Sequence, residues 1–449
     1  MSDNYFNIQT YYNSFKSIFM PDSPIISLHD SKRKDTFFSI VDGLFLAGCL
    51  LSLAMVLINP DQAIKVFIFS TVLSFPVIFN NRHNLLKNKK MLMLPLALFA
   101  FGLMQIIWVA IFKQQGSPFT AAYRSYQNGG KTLIFASFVI TAIGCQKAFS
   151  PCIRQAVNYL IIAIGLSLYG WAAYQLYSIG AMNLLAYRVS LGFEFATGTA
   201  YALTFIALLA SQAILNLRGR WVIPLYFLHF ALSSMAIVTT QTRAAILVYP
   251  ILCIALFLLH YRRNHKVLAV SITSFIVLGV LALVPLKSVL EQRYMDFKDD
   301  IAAYKSENSN TSIGARFAMQ RVGFETGKLQ PGGESLEQRS ASLNILEKTD
   351  PSLSGALMYM NIHLHNEMMD TFSLKGVLGV VLLALLYASM VYMAFEEKNA
   401  LLLIVSGAIA IYGLSDLLLY AKGESLSSML ALSFALILVS NTKREQSHV

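Results

Sequence analysis

Twelve separate apolar stretches recur along this chain of 449 residues, and they constrain its fold more than any other feature. Each stretch is roughly 17–23 residues long, which is the length an α-helix needs to cross a hydrocarbon core about 30 Å thick. The sequence therefore predicts an all-α polytopic membrane protein with about twelve transmembrane helices. The predicted limits are 38–58, 62–80, 92–112, 131–149, 155–177, 197–216, 221–239, 244–260, 267–285, 374–395, 400–420 and 425–440.

The composition agrees with a membrane protein and excludes several soluble classes. The chain is 56% hydrophobic and 13% charged, with a mean hydropathy of +0.56, far from the soluble average. The sequence contains no phosphate-binding loop of the Walker type. All cysteines lie in or beside apolar stretches, so we expect neither a disulfide framework nor a zinc site. They are Cys49, Cys145, Cys152 and Cys253.

The positions of the basic residues predict the orientation of the spans. Lys and Arg collect in cytoplasmic segments of membrane proteins, and here they do so if the N-terminus lies inside. An even number of spans then returns the C-terminus to the cytoplasm. The net charge of +11 is thus a topology signal, and we expect no nucleic-acid partner. The basic residues on the predicted inner side are Lys32, Arg33, Lys34, Arg82, Lys87, Lys89, Lys90, Arg218, Arg220, Arg262, Arg263, Lys266, Lys443 and Arg444.

This orientation divides the chain into inner tails, membrane helices and one long outer loop. The first 36 residues do not resemble a cleavable signal peptide; within them, residues 5–20 are either an amphipathic surface helix or part of a loosely ordered tail. The predicted divisions are a cytoplasmic tail at 1–36, transmembrane helices 1–9 at 37–285, a helical periplasmic loop at 286–373, transmembrane helices 10–12 at 374–440, and a cytoplasmic tail at 441–449.

The outer loop is too long to be a simple connection, and its pattern predicts helices. Apolar residues at helical spacing between Leu290 and Tyr304 indicate an amphipathic helix. Thr311 or Ser312 can cap a second helix that runs to about Gly327. After a turn at 330–333, we expect further helices near 335–348 and 352–372, the last leading toward the tenth span.

Four ionisable residues, distant in sequence, are predicted to lie at the outer face: Arg243, Arg316, His365 and Asp416. A single arginine at a membrane edge usually reaches for lipid headgroups, but the group together suits a phosphate site. Guanidinium groups bind phosphate oxygens with a fork of charged donors, and a neutral imidazole beside them can accept a proton. The set fits a lipid-linked phosphate or pyrophosphate and a hydroxyl nucleophile.

A metal site is not expected at His363 and His365. Residues two apart on a helix point to nearly opposite sides, and no third ligand follows at a recognisable spacing. We therefore predict no metal and no cofactor. A serine hydrolase is also unsupported, because no Gly-x-Ser-x-Gly element occurs.

One motif resembles a known bacterial family. His365 and Asn366, nine residues, Gly376, two residues and Gly379 fit the O-antigen ligase pattern of His, then Asn, Ser or Gln, nine residues, Gly, two residues, and Gly, Thr or Tyr. The wider family also carries a Thr-x-Ser-Arg-like element, to which 240–243 corresponds with Thr in place of Ser. The resemblance extends to the span count and to the large loop before the tenth span.

The resemblance implies a membrane-embedded glycosyltransferase of the C type in the bacterial inner membrane, active at the periplasmic face. Such an enzyme transfers preassembled O-polysaccharide from undecaprenyl pyrophosphate to a sugar hydroxyl of lipid A–core, with inversion and without metal. In that frame His365 is the general base, and Arg243 and Arg316 stabilise the departing pyrophosphate. Residues expected to contact substrate are Asn366, Asp416, Arg188, Gly376 and Gly379, with Arg124 as a weaker candidate.

Two other classes of function remain open from the sequence. An O-antigen polymerase or a protein O-oligosaccharyltransferase would use the same donor and overlapping motifs. A twelve-span transporter belongs to a different class. Transporters usually carry internal repeats and a substrate site near the membrane midplane, whereas this sequence has no evident repeat and places its polar residues at the outer face.

Overall fold

The computed structural model describes residues 24–87, 89–146, 150–179, 187–358 and 363–439. The surface helix considered at 5–20 and the C-terminal tail at 441–449 lie outside these residues. Throughout the described ranges the regular structure is helical, with no β-strand. The chain is an all-α polytopic membrane protein, as the apolar pattern predicted.

Sixteen α-helices and two short 3₁₀ helices occur in the described chain. The 3₁₀ helices are Lys89–Leu92 and Pro351–Leu353. The α-helices are α1 (Pro24–Met55), α2 (Pro60–Asn80), α3 (Arg82–Lys87), α4 (Met93–Phe112), α5 (Thr120–Cys145), α6 (Pro151–Ser178), α7 (Ala196–Leu215), α8 (Val222–Val238), α9 (Arg243–Tyr261), α10 (His265–Lys305), α11 (Ser312–Leu329), α12 (Leu336–Thr349), α13 (Ser354–Leu357), α14 (Glu367–Glu396), α15 (Ala400–Gly413) and α16 (Lys422–Val439).

Each of the predicted spans overlaps one apolar helix. Within the described residues, eight helices are long and apolar enough to cross a membrane, and four more apolar stretches are shorter. Several boundaries differ from the prediction. Helix α1 begins at Pro24, inside the predicted cytoplasmic tail at 1–36, and α14 begins at Glu367 instead of 374. Helix α5 begins at Thr120 instead of 131, and α15 ends at Gly413 instead of 420. The early end of α15 leaves Asp416 in a loop outside any helix.

Helices α7 and α16 form the centre of the bundle. All of the apolar window of α7 is buried, and 83% of that of α16 is buried, compared with 33% for α9. Small residues fill both central helices, and small residues let helix backbones approach closely in a membrane. Polar contacts add to the packing, for example between the hydroxyl groups of Thr204 and Tyr412, 3.1 Å apart. The site described below lies at one end of this bundle.

Helix α10 continues without a break beyond its apolar stretch into the segment between α10 and α14. It has 41 residues, so the ninth span and the amphipathic segment predicted after it form one helix. The capping prediction for the next helix is confirmed: α11 begins at Ser312, and the Thr311 side chain accepts the Gly314 N–H at 3.1 Å. Tyr304 of α10 packs against Phe317 of α11, with ring centroids 5.1 Å apart.

The helix predicted at 352–372 is wrong in part. The chain forms only the short helices Pro351–Leu353 and α13, and after residues 359–362, which are not described, it is non-helical until α14 begins at Glu367. Asn366 starts α14, because its side-chain oxygen accepts the N–H groups of Met368 and Met369, each at 3.1 Å. The histidine segment is therefore a loop that precedes a helix.

Helix α14 is kinked at Gly376, where φ is 62° and ψ is −160°. This conformation is essentially restricted to glycine. At the kink, α14 forms backbone hydrogen bonds with the turn between α11 and α12. Val377 N–H donates to Pro331 O at 3.0 Å, and Glu334 N–H donates to Leu374 O at 3.1 Å. Although Gly376 and Gly379 are three residues apart, they do not share one helix face, because the backbone is not helical at Gly376.

Candidate active site

His365 and Asp416 form a hydrogen-bonded pair at one end of the bundle. His365 Nδ1 lies 3.1 Å from Asp416 Oδ1. A carboxylate can only accept a hydrogen bond, so Nδ1 of His365 carries the proton of this contact, and in the neutral imidazole Nε2 is the nitrogen that can accept a proton. Burial disfavours the charge on Asp416, yet the hydrogen bond from His365 and the adjacent histidines hold the pKa of that carboxyl below its usual value.

The loop that carries His365 has an unusual backbone. His365 has a φ of 47°, which is rare for a residue with a side chain. Its N–H points at His363 Nδ1, 3.3 Å away, and the two imidazole centroids are 4.3 Å apart. Both histidines therefore turn toward Asp416.

His363 supports this arrangement as a neutral side chain. It is buried against Tyr420 and His365, and burial lowers the pKa of His363 to about 4. Its Nε2 lies 3.7 Å from Asp416 Oδ1, beyond hydrogen-bonding distance. At neutral pH it accepts the N–H of His365 and adds no charge beside the pair.

Among the described residues, His363, His365 and Asp416 also form a group whose side chains could bind a metal ion. One ligand atom each from His363, His365 and Asp416 lies within 4.8 Å of the others. The helix-based argument that placed the two histidines on opposite sides is wrong, because the segment is not helical. Two imidazoles and one carboxylate can hold zinc or iron, but here His365 and Asp416 already use one atom each for their mutual hydrogen bond.

Arg316 lies on α11 near the pair. Both Arg316 and Asp416 act electrostatically on the hydroxyl of Tyr201, and that hydroxyl is 3.3 Å from Oγ of Ser415. Tyr201 of α7 therefore contacts the loop that carries Asp416 and lies within electrostatic range of Arg316. The structure brings Arg316 to the same region as His365.

Arg243 is the first residue of α9, at the same end of the bundle. The N-cap residue Thr242 contacts the first residue of α7, with its hydroxyl 3.5 Å from Ala196 O. The guanidinium group of Arg243 is paired with two carboxylates of α10, Asp296 and Asp300, each at 3.4 Å. Arg243 therefore lies at the end of α9 that adjoins the first residue of α7, and its guanidinium group is engaged with two acids of α10.

Arg188 forms hydrogen bonds with the turn that precedes Arg243. Its Nε donates to Thr240 O at 3.0 Å, and its Nη2 lies 3.3 Å from the hydroxyl of Thr242. The side-chain amide of Gln241 also donates to Tyr187 O at 2.9 Å. These contacts give Arg188 an evident part in shaping the Thr240–Arg243 element.

Structural roles are also evident for three other residues of the motif, Asn366, Gly376 and Gly379. Asn366 caps α14 and donates to Leu414 O at 3.2 Å, which ties the two loops of the site together. A Cβ at Gly376 would overlap the carbonyl oxygen of Pro331, and one at Gly379 would lie 2.5 Å from Lys375 Cβ. The two glycines allow the kink of α14 and its close packing.

Sequence reasoning missed a set of buried charged residues behind the site: Glu367, Asp370 and Lys375 of α14, and Arg339 of α12. Asp370 pairs with Arg339 at 2.8 Å. The ammonium of Lys375 lies over the ring of Tyr126, 4.4 Å from its centroid. In the sequence, these charged residues resemble an ordinary polar segment that precedes a span. The sign that they are buried was the number of charges so close to a membrane helix, where charges are costly.

Comparison with known proteins agrees with this architecture. The family profile described as O-Antigen ligase matches residues 228–384, which contain Arg243, Arg316 and His365. An O-antigen ligase of Escherichia coli is 32% identical over 400 residues, covering 88% of this chain and 92% of that protein. The chain belongs to the O-antigen ligase family. It is therefore an enzyme of the glycosyltransferase type in lipopolysaccharide biosynthesis, and a multi-pass protein of the inner membrane.

A second relative of this O-antigen ligase family member is more distant. An uncharacterized protein of Haemophilus influenzae is 23% identical over 182 residues, which is 38% of this chain and 44% of that protein. This shorter likeness adds nothing on activity. The resemblance inferred from the motif at 365–379 is confirmed by the longer match.

Proposed function

We propose that this protein transfers preassembled O-polysaccharide from undecaprenyl pyrophosphate to a sugar hydroxyl of lipid A–core. The family membership supports a glycosyltransferase, and the near full-length likeness to an O-antigen ligase supports this donor and acceptor. The observation that carries the proposed chemistry is the hydrogen bond between His365 and Asp416. It prepares one imidazole nitrogen to take a proton.

His365 acts in this proposal as the general base. Asp416 holds the Nδ1 proton, so Nε2 accepts the proton of the acceptor hydroxyl as the hydroxyl oxygen attacks the anomeric carbon. The bond from that carbon to the diphosphate oxygen breaks, and the electron pair leaves with undecaprenyl pyrophosphate. Attack opposite the leaving group inverts the anomeric centre. A positioned base contributes about 10²–10⁴-fold to such a step.

Arg243 and Arg316 bind the diphosphate and stabilise the charge that develops on it. A donor aimed at developing charge contributes about 10²–10³-fold. Asp296 and Asp300 occupy the guanidinium group of Arg243, and the diphosphate displaces them when the donor binds. Two fixed guanidinium groups can replace the divalent cation used by many nucleotide-sugar transferases, so the reaction is metal-independent in this proposal.

The site faces the periplasm in this proposal, with both termini in the cytoplasm. Basic residues such as Arg218, Arg220 and Arg262 follow the opposite ends of the helices that carry the site, in agreement with an inner cytoplasmic face. The segment 286–373 then forms the periplasmic part, between transmembrane helices 1–9 at 37–285 and 10–12 at 374–440.

The test is transfer by the purified protein in detergent. Undecaprenyl-pyrophosphate-linked O-polysaccharide is supplied with either lipid A–core or a second lipid-linked glycan, with and without EDTA. We expect product only with lipid A–core, at the same rate in the chelator. Polymer extension with the lipid-linked glycan would indicate a polymerase instead, and loss of activity in EDTA would contradict the metal-free reaction.

His365→Ala tests the base directly, and His83→Ala is its matched control. His83 is an exposed histidine of α3, remote from the site along the chain. We expect the His365 variant to lose attachment of polymer to lipid A–core at normal protein level, and the His83 variant to keep it. A normal lipopolysaccharide ladder in the His365 variant would refute the assignment.

A further inference from the structure

Two buried carboxylates in the first turn of α14 each contact a different segment of the site. They are Glu367 and Asp370, with 3% and 0% of their surfaces exposed. His365 and Asp416 come from separate loops, so something must hold these loops at hydrogen-bonding distance. The contacts of the two carboxylates provide this link.

Asp370 holds the histidine segment. Its Oδ1 accepts the backbone N–H of Leu364 at 3.2 Å, between the two histidines, and also the guanidinium of Arg339 at 2.8 Å. Its Oδ2 accepts the hydroxyl of Tyr126 at 2.5 Å. Because Leu364 precedes His365 directly, the orientation of its peptide group helps to set the direction of the imidazole.

Glu367 holds the loop that carries Asp416. Its Oε1 accepts the backbone N–H of Leu419 at 2.9 Å, and its Oε2 accepts the hydroxyl of Tyr387 at 2.9 Å. Asn366 donates to Leu414 O at 3.2 Å on the other side of Asp416. Both flanks of Asp416 are therefore attached to the start of α14.

The energetics favour a geometric role for these acids. Taking a carboxylate out of water costs several kcal/mol, and a buried ion pair is often no more stabilising than apolar residues of the same size. The hydrogen bonds of Glu367 and Asp370 go to neighbouring helices and to the backbone of the two site loops. Stability alone therefore does not account for two buried acids here, whereas their hydrogen bonds do link both site loops to α14.

We propose that Glu367 and Asp370 are positioning residues that keep His365 and Asp416 within hydrogen-bonding distance. The proposal rests on the function proposed above, in which that pair performs base catalysis. It assigns a role to a buried acidic turn that does not touch the substrate. Loss of either acid would let the imidazole and the carboxylate separate, and the reaction would slow without a loss of substrate binding.

The experiment compares Asp370→Asn, Glu367→Gln and Tyr126→Phe with the unmodified full chain in detergent. A control, Asp350→Asn, removes an acid of the same outer segment that pairs with exposed Arg321 at 2.7 Å. Misplacement of a catalytic group by about 1 Å can cost about 10²-fold. We therefore expect kcat to fall about 10- to 100-fold in the two acid variants, with both KM values within about twofold, whereas the control is unchanged.

A second measurement separates positioning from general stability. Each substitution is combined with Asp416→Ala, which removes the contact being positioned. If the acids act through the pair, the combined variant is no slower than Asp416→Ala alone, because groups acting as a unit are non-additive. Multiplied losses in the combined variant would overturn the proposal, as would full kcat in folded Asp370→Asn or Glu367→Gln.

Tyr126→Phe decides the matter if Asp370→Asn does not fold. This change removes one hydrogen bond to Asp370 and leaves its pair with Arg339 intact. Positioning is supported if Tyr126→Phe lowers kcat at unchanged KM and if the same change lowers kcat no further when Asp416 is already replaced by Ala. An unchanged kcat in Tyr126→Phe opposes it. Failure of the proposed function looks different, since His365→Ala would then stay active.

Discussion

The imidazole of His365 donates from Nδ1 to Oδ1 of Asp416 across 3.1 Å, although 51 residues separate the two in sequence. Through this contact one carboxylate fixes both the tautomer and the direction of the ring. The neutral His363 beside them accepts the backbone N–H of His365 and so supports the same orientation.

Replacing Asp416 with Asn tests this relationship. An amide can donate to Nδ1 and so favour the tautomer with its proton on Nε2, which cannot act as a base. We expect kcat to fall about 10²–10⁴-fold, which is what a positioned base contributes, since the same Asp-to-Asn change costs about 10⁴-fold in a Ser–His–Asp enzyme. Donor KM should change little. Steady-state kinetics with purified protein measures this. Full activity would show that the carboxylate is not needed.

Arg243→Lys distinguishes a guanidinium clamp from a simple positive charge. Lysine keeps the charge but loses the fork of donors that matches phosphate oxygens. We expect kcat/KM for the donor to fall about 10²-fold, while Arg321→Lys in the exposed ion pair with Asp350 stays within about twofold of the unmodified enzyme. Equal behaviour of the two variants would contradict the clamp.

Asp296→Asn and Asp300→Asn address the competition for Arg243. Each aspartate is part-exposed and lies 3.4 Å from the guanidinium group, and such pairs are worth about 0.2–1 kcal/mol. If the donor displaces them, removing their charge lowers donor KM about two- to fivefold. Asp299→Asn, an exposed neighbour on the same helix, serves as control. A raised donor KM in the two variants would show that the aspartates assist binding.

Gly376→Ala tests the kink of α14. The backbone at Gly376 is accessible essentially only to glycine, and a side chain there costs about 1–3 kcal/mol before its overlap with Pro331 O is counted. We expect a lower thermal midpoint in detergent and reduced activity. Gly407→Ala in α15, where an added Cβ meets nothing within 4 Å, should keep or raise the midpoint. Equal midpoints would mean that the kink is not required.

The membrane helices and the caps could be read from the sequence because both depend on neighbouring residues. Apolar length predicted the spans, and a hydroxyl at Thr311 predicted the start of α11. The site could be read only in part. His365, Arg316 and Asp416 were identified from the sequence. The positive φ of His365 and the kink at Gly376 were not, because the spacing of apolar residues does not indicate where a backbone leaves the helical conformation.

The supporting contacts were beyond prediction for a related reason. Asp370 meets Arg339 over 31 residues, and Glu367 meets Leu419 over 52. Such pairs depend on how distant helices pack, which local spacing does not encode. The same limit explains the wrong argument about His363, since the direction of a side chain follows the backbone actually adopted.

The kink at Gly376 also determines how this enzyme can be recombined with its relatives. The turn at Pro331–Gly333 forms backbone hydrogen bonds with α14 on both sides of Gly376. The segment between α10 and α14 is therefore packed into the kink of α14 as well as connected to it. A chimera that exchanges residues 286–373 alone would separate this turn from the glycine that receives it. Hybrids made to change the acceptor sugar should therefore place the second crossover beyond Gly379.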